Sequence, residues 1–218
     1  MQTKLVLWGA SSHASVIADI VRLRGDYEIV GFLDDISVHR HNTEFCGAMI
    51  LGGAEQLDTL KGHDVSHLLM AFGANRARLR AARLARLKGY ALATAIHPMT
   101  AIAAGVEVGE GTVIMAGAVV NAGVRIGENA IINSSAIVEH ECVIQDGVHV
   151  SAGARLGGNV TVGPATTIEI GAIVGARVII GADSVIGAGA VVLRDIPDGV
   201  LAYGIPARVI RKTKPDDG

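Results

Sequence analysis

The chain is poor in rings and in sulfur. Of its 218 residues one is Trp, three are Tyr, three are Phe and two are Cys. Two cysteines, Cys46 and Cys142, are too few and too separated for a disulfide framework, and a packing role suits them better. No run of 18 apolar residues occurs, which argues against a membrane span, and no charged-then-apolar leader opens the chain, which argues against secretion. Charge is nearly balanced, 19 Lys and Arg against 21 Asp and Glu. The absence of a basic stripe and of aromatic-basic interleaving argues against nucleic acid as a partner. The expectation is a cytoplasmic protein with no membrane and no nucleic-acid partner. Half the residues are hydrophobic, enough for one or two domains with real cores.

What is present is a period of six. Ile96, Ile102, Val108, Ile114, Val120, Ile126, Ile132, Val138, Ile144, Val150, Leu156, Val162, Ile168, Val174, Ile180, Ile186 and Val192 recur without a gap. A helix repeats its buried face at about 3.6 residues and a strand at 2, so six implies short extended segments joined by turns. Such a chain coils into a parallel β-helix, in which each unit buries its apolar residue only by stacking on its neighbours. Four residues after each of these positions from Val108 to Ile186 stands a small or β-branched residue, from Thr112 and Ala118 through Cys142 to Ser184 and Ala190, as a crowded corner requires. A thin prism filled by Ile, Val and Ala also leaves no room for rings, which accounts for their scarcity.

Residues 4–94 lack this period. Leu5 to Trp8 reads as a strand, followed by the turn Gly9-Ala10-Ser11-Ser12-His13 and a helical pattern through Val16, Ile17, Ile20, Val21 and Leu23. Glu28–Leu33 and His67–Phe72 read as further strands, the last leading through Gly73-Ala74-Asn75 into a helix rich in Arg, Ala and Leu. The fold class expected is therefore an α/β Rossmann-like domain over 1–95 followed by an all-β coil over 96–196. Residues 197–218 are expected to form a C-terminal cap and tail.

Three features together resemble bacterial left-handed β-helix acetyltransferases, within them the sialic acid O-acetyltransferase and nucleotide-amino-sugar N-acetyltransferase family. They are the hexapeptide coil, the run Asp195-Ile196-Pro197 followed by Gly204-Ile205-Pro206-Ala207-Arg208, and the segments Glu139-His140-Glu141-Cys142 and Val148-His149-Val150-Ser151. The N-terminal turn ending in His13 and the paired acids Asp34-Asp35 at the end of the second strand also look like that family, although Ser12 replaces its commoner glycine. The left hand of the coil comes from the resemblance, since the period does not fix it.

The resemblance implies acetyl transfer from acetyl-CoA to an amine or hydroxyl of a nucleotide-linked sugar, in a homotrimer with clefts between neighbouring prisms. His140 is then the general base, because imidazole titrates near neutral pH, and Glu141 is the partner of its ring. His149 matches a position that contacts acetyl-CoA. Eighteen residues make one triangular coil, so His140 and His149, nine apart, should project from opposite sides and reach a common site only from two chains. Ala152, Ile170 and Ala188 form a column for CoA, and Ile205, Pro206 and Arg208, with Arg211 or Lys212, lie beside its adenine and 3′-phosphate. In the first domain, the turn Gly9, Ser11, Ser12 and His13 offers backbone N–H groups to a diphosphate. The same turn also reads as an ordinary strand-to-helix connection capped by Ser11 or Ser12. Asp34 and Asp35 would meet a ribose or base edge, and Gly73 and Asn75 would close the pocket.

Rivals differ in class. γ-Type carbonic anhydrases use the same coil but hold zinc with three histidines, whereas this coil has two, so no metal is expected. The full dinucleotide glycine pattern is missing, so neither is NAD. A catalytically inactive sugar-nucleotide scaffold is opposed by the His140-Glu141 pair. O-Acetylation of sialic acid is opposed by Asp34 and Asp35, which would repel its carboxylate. The favoured reading is N-acetylation of a nucleotide-linked 4-amino-4,6-dideoxysugar.

Overall fold

A computed structural model describes residues 2–213. The N-terminal part is a six-stranded sheet with strands β1 (Thr3–Trp8), β2 (Tyr27–Leu33), β3 (Glu44–Phe45), β4 (Ala48–Gly52), β5 (His67–Met70) and β6 (Ala91–Leu92), in the order β3-β4-β2-β1-β5-β6. Only β3 and β4 pair antiparallel. Helices α1 (Ser12–Arg24), the short α2 (Leu57–Lys61) and α3 (Asn75–Leu87) make the connections. Both faces of the central strand are covered, since Leu5 and Leu7 pack with α1 while Val6 and Trp8 pack with residues of α2 and α3. A strand buried on both sides reads as a continuous apolar run rather than an alternation, and Leu5-Val6-Leu7-Trp8 is such a run.

From Ala95 the chain winds into a parallel β-helix of three sheets. Two-residue strands pair with the strand one 18-residue coil later, as in Val113 with Ile131, Val119 with Ile137 and Arg125 with Val143. Each residue of the six-fold apolar series is the second residue of such a strand. The corner series from Thr112 to Ala190 is buried throughout. Where that corner carries a hydroxyl, a turn carbonyl accepts it: Thr112 Oγ1 donates to Gly127 O at 2.8 Å, Thr166 Oγ1 to Gly181 O and Ser184 Oγ to Pro197 O at 2.8 Å. A buried hydroxyl left unpaired would cost roughly 1–3 kcal/mol, so Thr and Ser are tolerated in the prism only because the turns supply acceptors.

One face of the prism docks the first domain, and its outward residues explain why. The first sheet contains Ala95–Ile96, Val113–Ile114, Ile131–Ile132, His149–Val150, Thr167–Ile168 and Val185–Ile186. Its outward column therefore runs Ala95, Val113, Ile131, His149, Thr167, Val185. The first three are apolar and share a core with Ala14, Ile17, Ala18 and Val21 of α1. The next two coils carry His149 and Thr167 in the same column, so polar groups enter where the domain interface continues. The C-terminal segment extends this sheet with a hairpin, Val200–Gly204 pairing parallel with Val185–Ile186 and antiparallel with Ala207–Lys212.

Candidate active site

Two cavities adjoin, one within the first domain and one between that domain and the prism. The first, about 480 Å³, opens at the carboxyl end of the N-terminal sheet and is lined by Trp8, Ala10, Ser11, Asp34, Asp35, Ile36, Ser37, Arg40, Phe72, Ala74 and Ala77. The second, about 410 Å³, lies between the strand end at Gly73-Ala74 and the prism, with Asn133, His149, Ser151, Ala152, Thr167, Glu169 and Ile170 on its wall. Ala74 lines both. A ligand extended from one to the other would pass from a strand-end pocket, where α/β sheets bind nucleotides, to the prism surface.

The first cavity is shaped by its acids rather than left open to them. Asp34 Oδ1 accepts the N–H groups of Ile36 (3.0 Å) and Ser37 (3.1 Å), which folds the loop after β2 into a tight turn. Burial opposes its ionisation, but these N–H groups and the nearby Arg40 guanidinium prevail and hold the carboxyl below its ordinary range. Asp35 accepts Trp8 Nε1 at 2.6 Å and the Ala54 N–H at 2.7 Å. Both carboxylates are thus engaged in fixing the rim. Arg40, which the sequence reading passed over, donates to Ala10 O at 2.7 Å, packs over Phe45 at 5.1 Å and lies 3.8 Å from Asp34.

Three residues expected in this pocket face elsewhere. Gly9 has φ 131°, and a Cβ there would meet Ala71 O at 2.6 Å, so its glycine is needed for close packing of the strand ends. His13 turns from the first cavity toward the prism, its ring centroid 6.2 Å from that of His149, and its buried Nε2 has no hydrogen-bond partner among the described residues. Asn75 is buried, donating to Thr167 Oγ1 (2.8 Å) and Ala165 O (3.1 Å) while accepting from Arg78. Ser11 does line the cavity, and Ser12 begins α1. Neither makes a capping bond: Ser11 is the N-cap residue without a side-chain partner, so the first-turn N–H groups of α1 are left for another acceptor.

At the second cavity His149 is the central side chain. Asn133 Nδ2 donates to its Nε2 at 3.2 Å, and Asn133 is oriented by accepting the Ser134 N–H at 2.7 Å. Burial first, then Arg78 and His13, hold the His149 imidazole down to about 3. Burial and Arg78 lower His13 in the same direction. Both rings are therefore neutral at physiological pH. Ala152, Ile170 and Ala188 stack on one prism edge, Ala152 and Ile170 accepting the N–H of Gly171 and Gly189. Their own N–H groups donate to no main-chain acceptor among the described residues. The column ends where Tyr203 packs on Gly187, and Ile205, Pro206 and Arg208 form the exposed hairpin tip beyond it.

His140 occupies a different edge. It lies in the turn between Ile137–Val138 of the second sheet and Val143–Ile144 of the third, exposed, with Nδ1 3.5 Å from Glu141 Oε2. Glu139 is held by Asn121, whose Nδ2 donates to it at 2.8 Å, which leaves Glu141 as the carboxylate on the ring. Glu141 adopts φ 59°, a left-handed conformation that glycine fills in many of the other turns. Among the described residues no group of three His, Cys, Asp or Glu is arranged to hold a metal ion. No helix among them is long and apolar enough to cross a membrane.

The PglD N-terminal domain model matches residues 4–84, and the bacterial transferase hexapeptide model (six repeats) matches residues 123–158 and 159–194. A search of curated proteins returned no match. Among solved structures, PerB from Caulobacter crescentus in complex with CoA and GDP-perosamine is 37% identical, over 95% of this chain and 97% of its own, with a TM-score of 0.90. This chain belongs to the hexapeptide-repeat sugar acetyltransferases. The acetyltransferase domain of PglB from Neisseria gonorrhoeae in complex with acetyl coenzyme A is 34% identical, over 96% of this chain and 100% of its own, at a TM-score of 0.89. WeeI from Acinetobacter baumannii, at 23% identity and a TM-score of 0.69, shares the fold. The protein is thus an acetyl-CoA-dependent acyltransferase.

In this acetyltransferase one further residue shapes the His140 edge, and it has no side chain. Gly158, one coil after His140, lies beneath the imidazole, and a Cβ there would sit 2.5 Å from Nε2. Its φ is outside the left-handed region, so alanine is conformationally allowed and lowers the entropy of the unfolded chain. On the expectation that His140 is the general base, Gly158→Ala should leave the melting temperature unchanged or slightly raised while displacing the ring and lowering kcat roughly 10- to 100-fold. Paired calorimetry and turnover measurements check this opposition. The 18-residue spacing from His140 was the signal by which the sequence could have shown it.

Proposed function

We propose that this acetyltransferase N-acetylates the amino group of a nucleotide-linked 4-amino-4,6-dideoxysugar, using acetyl-CoA. The observation that carries this reading is the edge shared by the two cavities at Ala74. A nucleotide in the strand-end pocket would have its diphosphate beside Ser11 and Ser12, at the unpaired amides of α1. Its sugar would then extend past Gly73 and Ala74 toward His149. The likeness to PerB, whose structure holds CoA and GDP-perosamine, supports the same direction of ligand. Asp34 and Asp35 act by building the rim that the base and ribose meet, and Arg40 adds positive charge near the turn.

Acetyl-CoA would lie along the edge Ala152, Ile170 and Ala188, where the free N–H groups can pair with its pantetheine amides. The hairpin tip Ile205-Pro206, with Arg208, then stands by the nucleotide end. His140 is on another edge of the same chain, so the reading requires a homotrimer in which His140 of one subunit faces the second cavity of the next. There it removes the proton from the amine as the nitrogen bonds to the thioester carbonyl, and the CoA sulfur leaves and takes up a proton. Glu141, on Nδ1, keeps Nε2 free to accept and stabilises the imidazolium that forms. His149 stays neutral and offers hydrogen bonding to the carbonyl without becoming a competing acid. The acetyl donor is an intracellular metabolite, which makes the cytoplasm the compartment of the reaction.

A thermal-shift screen of UDP-, GDP-, CMP- and dTDP-linked amino sugars with CoA present, followed by thiol release on any hit, tests the proposal. An amino-sugar nucleotide that both stabilises the protein and releases thiol is the expected result. Thiol release with sialic acid, and none with any amino-sugar nucleotide, overturns it in favour of O-acetylation.

A further inference from the structure

Helix α3 lies along the prism and grips one column of its turns. Asn129, Gly147, Ala165 and Asp183 follow one another at intervals of one coil, and all are left-handed, with φ between 52° and 65°. Arg78 donates to the carbonyls of Asn129 (2.8 Å) and Gly147 (2.9 Å), Asn75 donates to that of Ala165, and Arg76 pairs with the Asp183 carboxylate. Arg86, at the far end of the helix, pairs with Glu110 and Glu128.

Arg78 is unlike the other two arginines because it is buried, 1% exposed, and meets no carboxylate. Its remaining donors reach Phe72 O (3.2 Å), Gly73 O (2.6 Å) and Asn75 Oδ1 (2.9 Å). A guanidinium has five N–H donors, and all five are used, on four main-chain carbonyls and one amide oxygen. Burial lowers its own pKa to about 9, which still leaves it charged at neutral pH. Phe72 lines the first cavity and Gly73 the second. On the prism side, Asn129 and Gly147 each stand two residues before the strands that lead to Asn133 and begin with His149.

We propose that Arg78 is a positioning residue for acetyl transfer, whose fork sets the Phe72–Gly73 wall against the turns that carry Asn133 and His149 and whose uncompensated charge sits on the Gly147 carbonyl, two residues before His149. An arginine paired with a buried acid would hold the domains together equally well, so acceptors that are all neutral are the distinctive choice. The charge has a defined target. Near His149 stand His13 from α1, the amide of Asn133 and Glu169 across the cavity, while Arg78 from α3 holds the Gly147 carbonyl two residues before it and its charge acts on the ring. Protonating the ring would set its Nε2 hydrogen against the Asn133 amide donor and add a second cation beside the first. The role rests on the acetyl-transfer reading of the second cavity, but its titration readout needs no substrate and stands or falls separately.

The test uses the full chain with labelled histidine, the His149 signal being assigned by its loss in His149→Asn, and compares Arg78→Lys with Arg78→Gln. Titrated from pH 8 down to pH 3, wild type is expected to keep His149 neutral until the acid end of the range, given its value of about 3, so a midpoint raised by about one unit falls inside it. Arg78→Lys keeps the charge and loses the fork, so kcat per folded enzyme falls roughly 10- to 100-fold with KM for the sugar nucleotide raised and the His149 midpoint unmoved. Arg78→Gln loses both, so the His149 midpoint also rises by about one unit or more and a new acidic limb enters the rate profile. Burial, the larger cause of the low value, remains, so the rise is partial. If Arg78→Gln does not fold, Asn75→Asp sets a carboxylate on the guanidinium and is expected to raise the midpoint in the same direction. A folded Arg78→Gln or Asn75→Asp with an unmoved His149 midpoint overturns the proposal, as does an Arg78→Lys enzyme with wild-type kcat and KM.

Discussion

Replacing His140 with alanine is expected to lower kcat at least about 100-fold, the usual cost of removing a general base. The fold should not notice. The side chain is 58% exposed, its one ionic contact is with an equally exposed glutamate, and the main-chain bond from the Asn159 N–H to His140 O survives the change. Exposed substitutions of this kind alter stability by about 0.5 kcal/mol or less, so circular dichroism and the melting curve should overlay those of wild type. A substrate amine already deprotonated at high pH needs the base less, so the deficit should shrink as pH rises. A deficit that is the same at every pH, or a variant retaining more than about a tenth of wild-type kcat, would remove His140 from the proton path.

The second large effect concerns which chain supplies which half of the site. His140 lies on the edge between the second and third sheets, whereas Ala152 and Ile170 lie on the edge that leaves the first. His140→Ala subunits retain an intact CoA edge. Ile170→Glu subunits retain His140 but carry a carboxylate at an exposed position of that edge, beside Glu169. Each variant alone is expected to be nearly inactive. Unfolded together and refolded as mixed trimers, they should regain activity many-fold above either parent, because some clefts then combine a good edge from each chain. Refolding that yields no gain, with trimers confirmed by light scattering, would mean that one chain holds the whole site.

The prism was legible residue by residue. Every member of the six-fold series from Ile96 to Val192 lies in a two-residue strand, and the corner series is buried without exception. The Rossmann-like strands at Leu5, Glu28 and His67 could be read because apolar runs and turn residues separate them. The β3–β4 hairpin and the C-terminal hairpin were not read, because each is a short pair whose register depends on the strand it joins. The His140-Glu141 pair was visible as a motif, and its geometry in the turn follows from the coil.

Other parts of the site required the tertiary arrangement. His13 and Asn75 stand in the N-terminal sequence as pocket residues. Their direction was decided by the prism packed against them: one ring is drawn to His149, and one amide to Thr167 and Ala165. Asp34 and Asp35 were readable as a strand-end pair, but the main-chain and Trp8 donors they capture are brought to them by folding. Arg78 carried no signal at all, since one arginine among several on α3 becomes special only when two domains close over it.

The division follows from the range of the forces. A strict repeat makes each coil's burial depend on residues 18 positions away, a local rule that the sequence alone determined, and with it the prism and the edge on which each histidine falls. Which face the α/β domain covers, which side chains turn inward there and which charge is left without a counterion depend on groups distant in the chain and close only after packing. Those were decided by the tertiary structure, because desolvation and hydrogen-bond satisfaction act on neighbours in space.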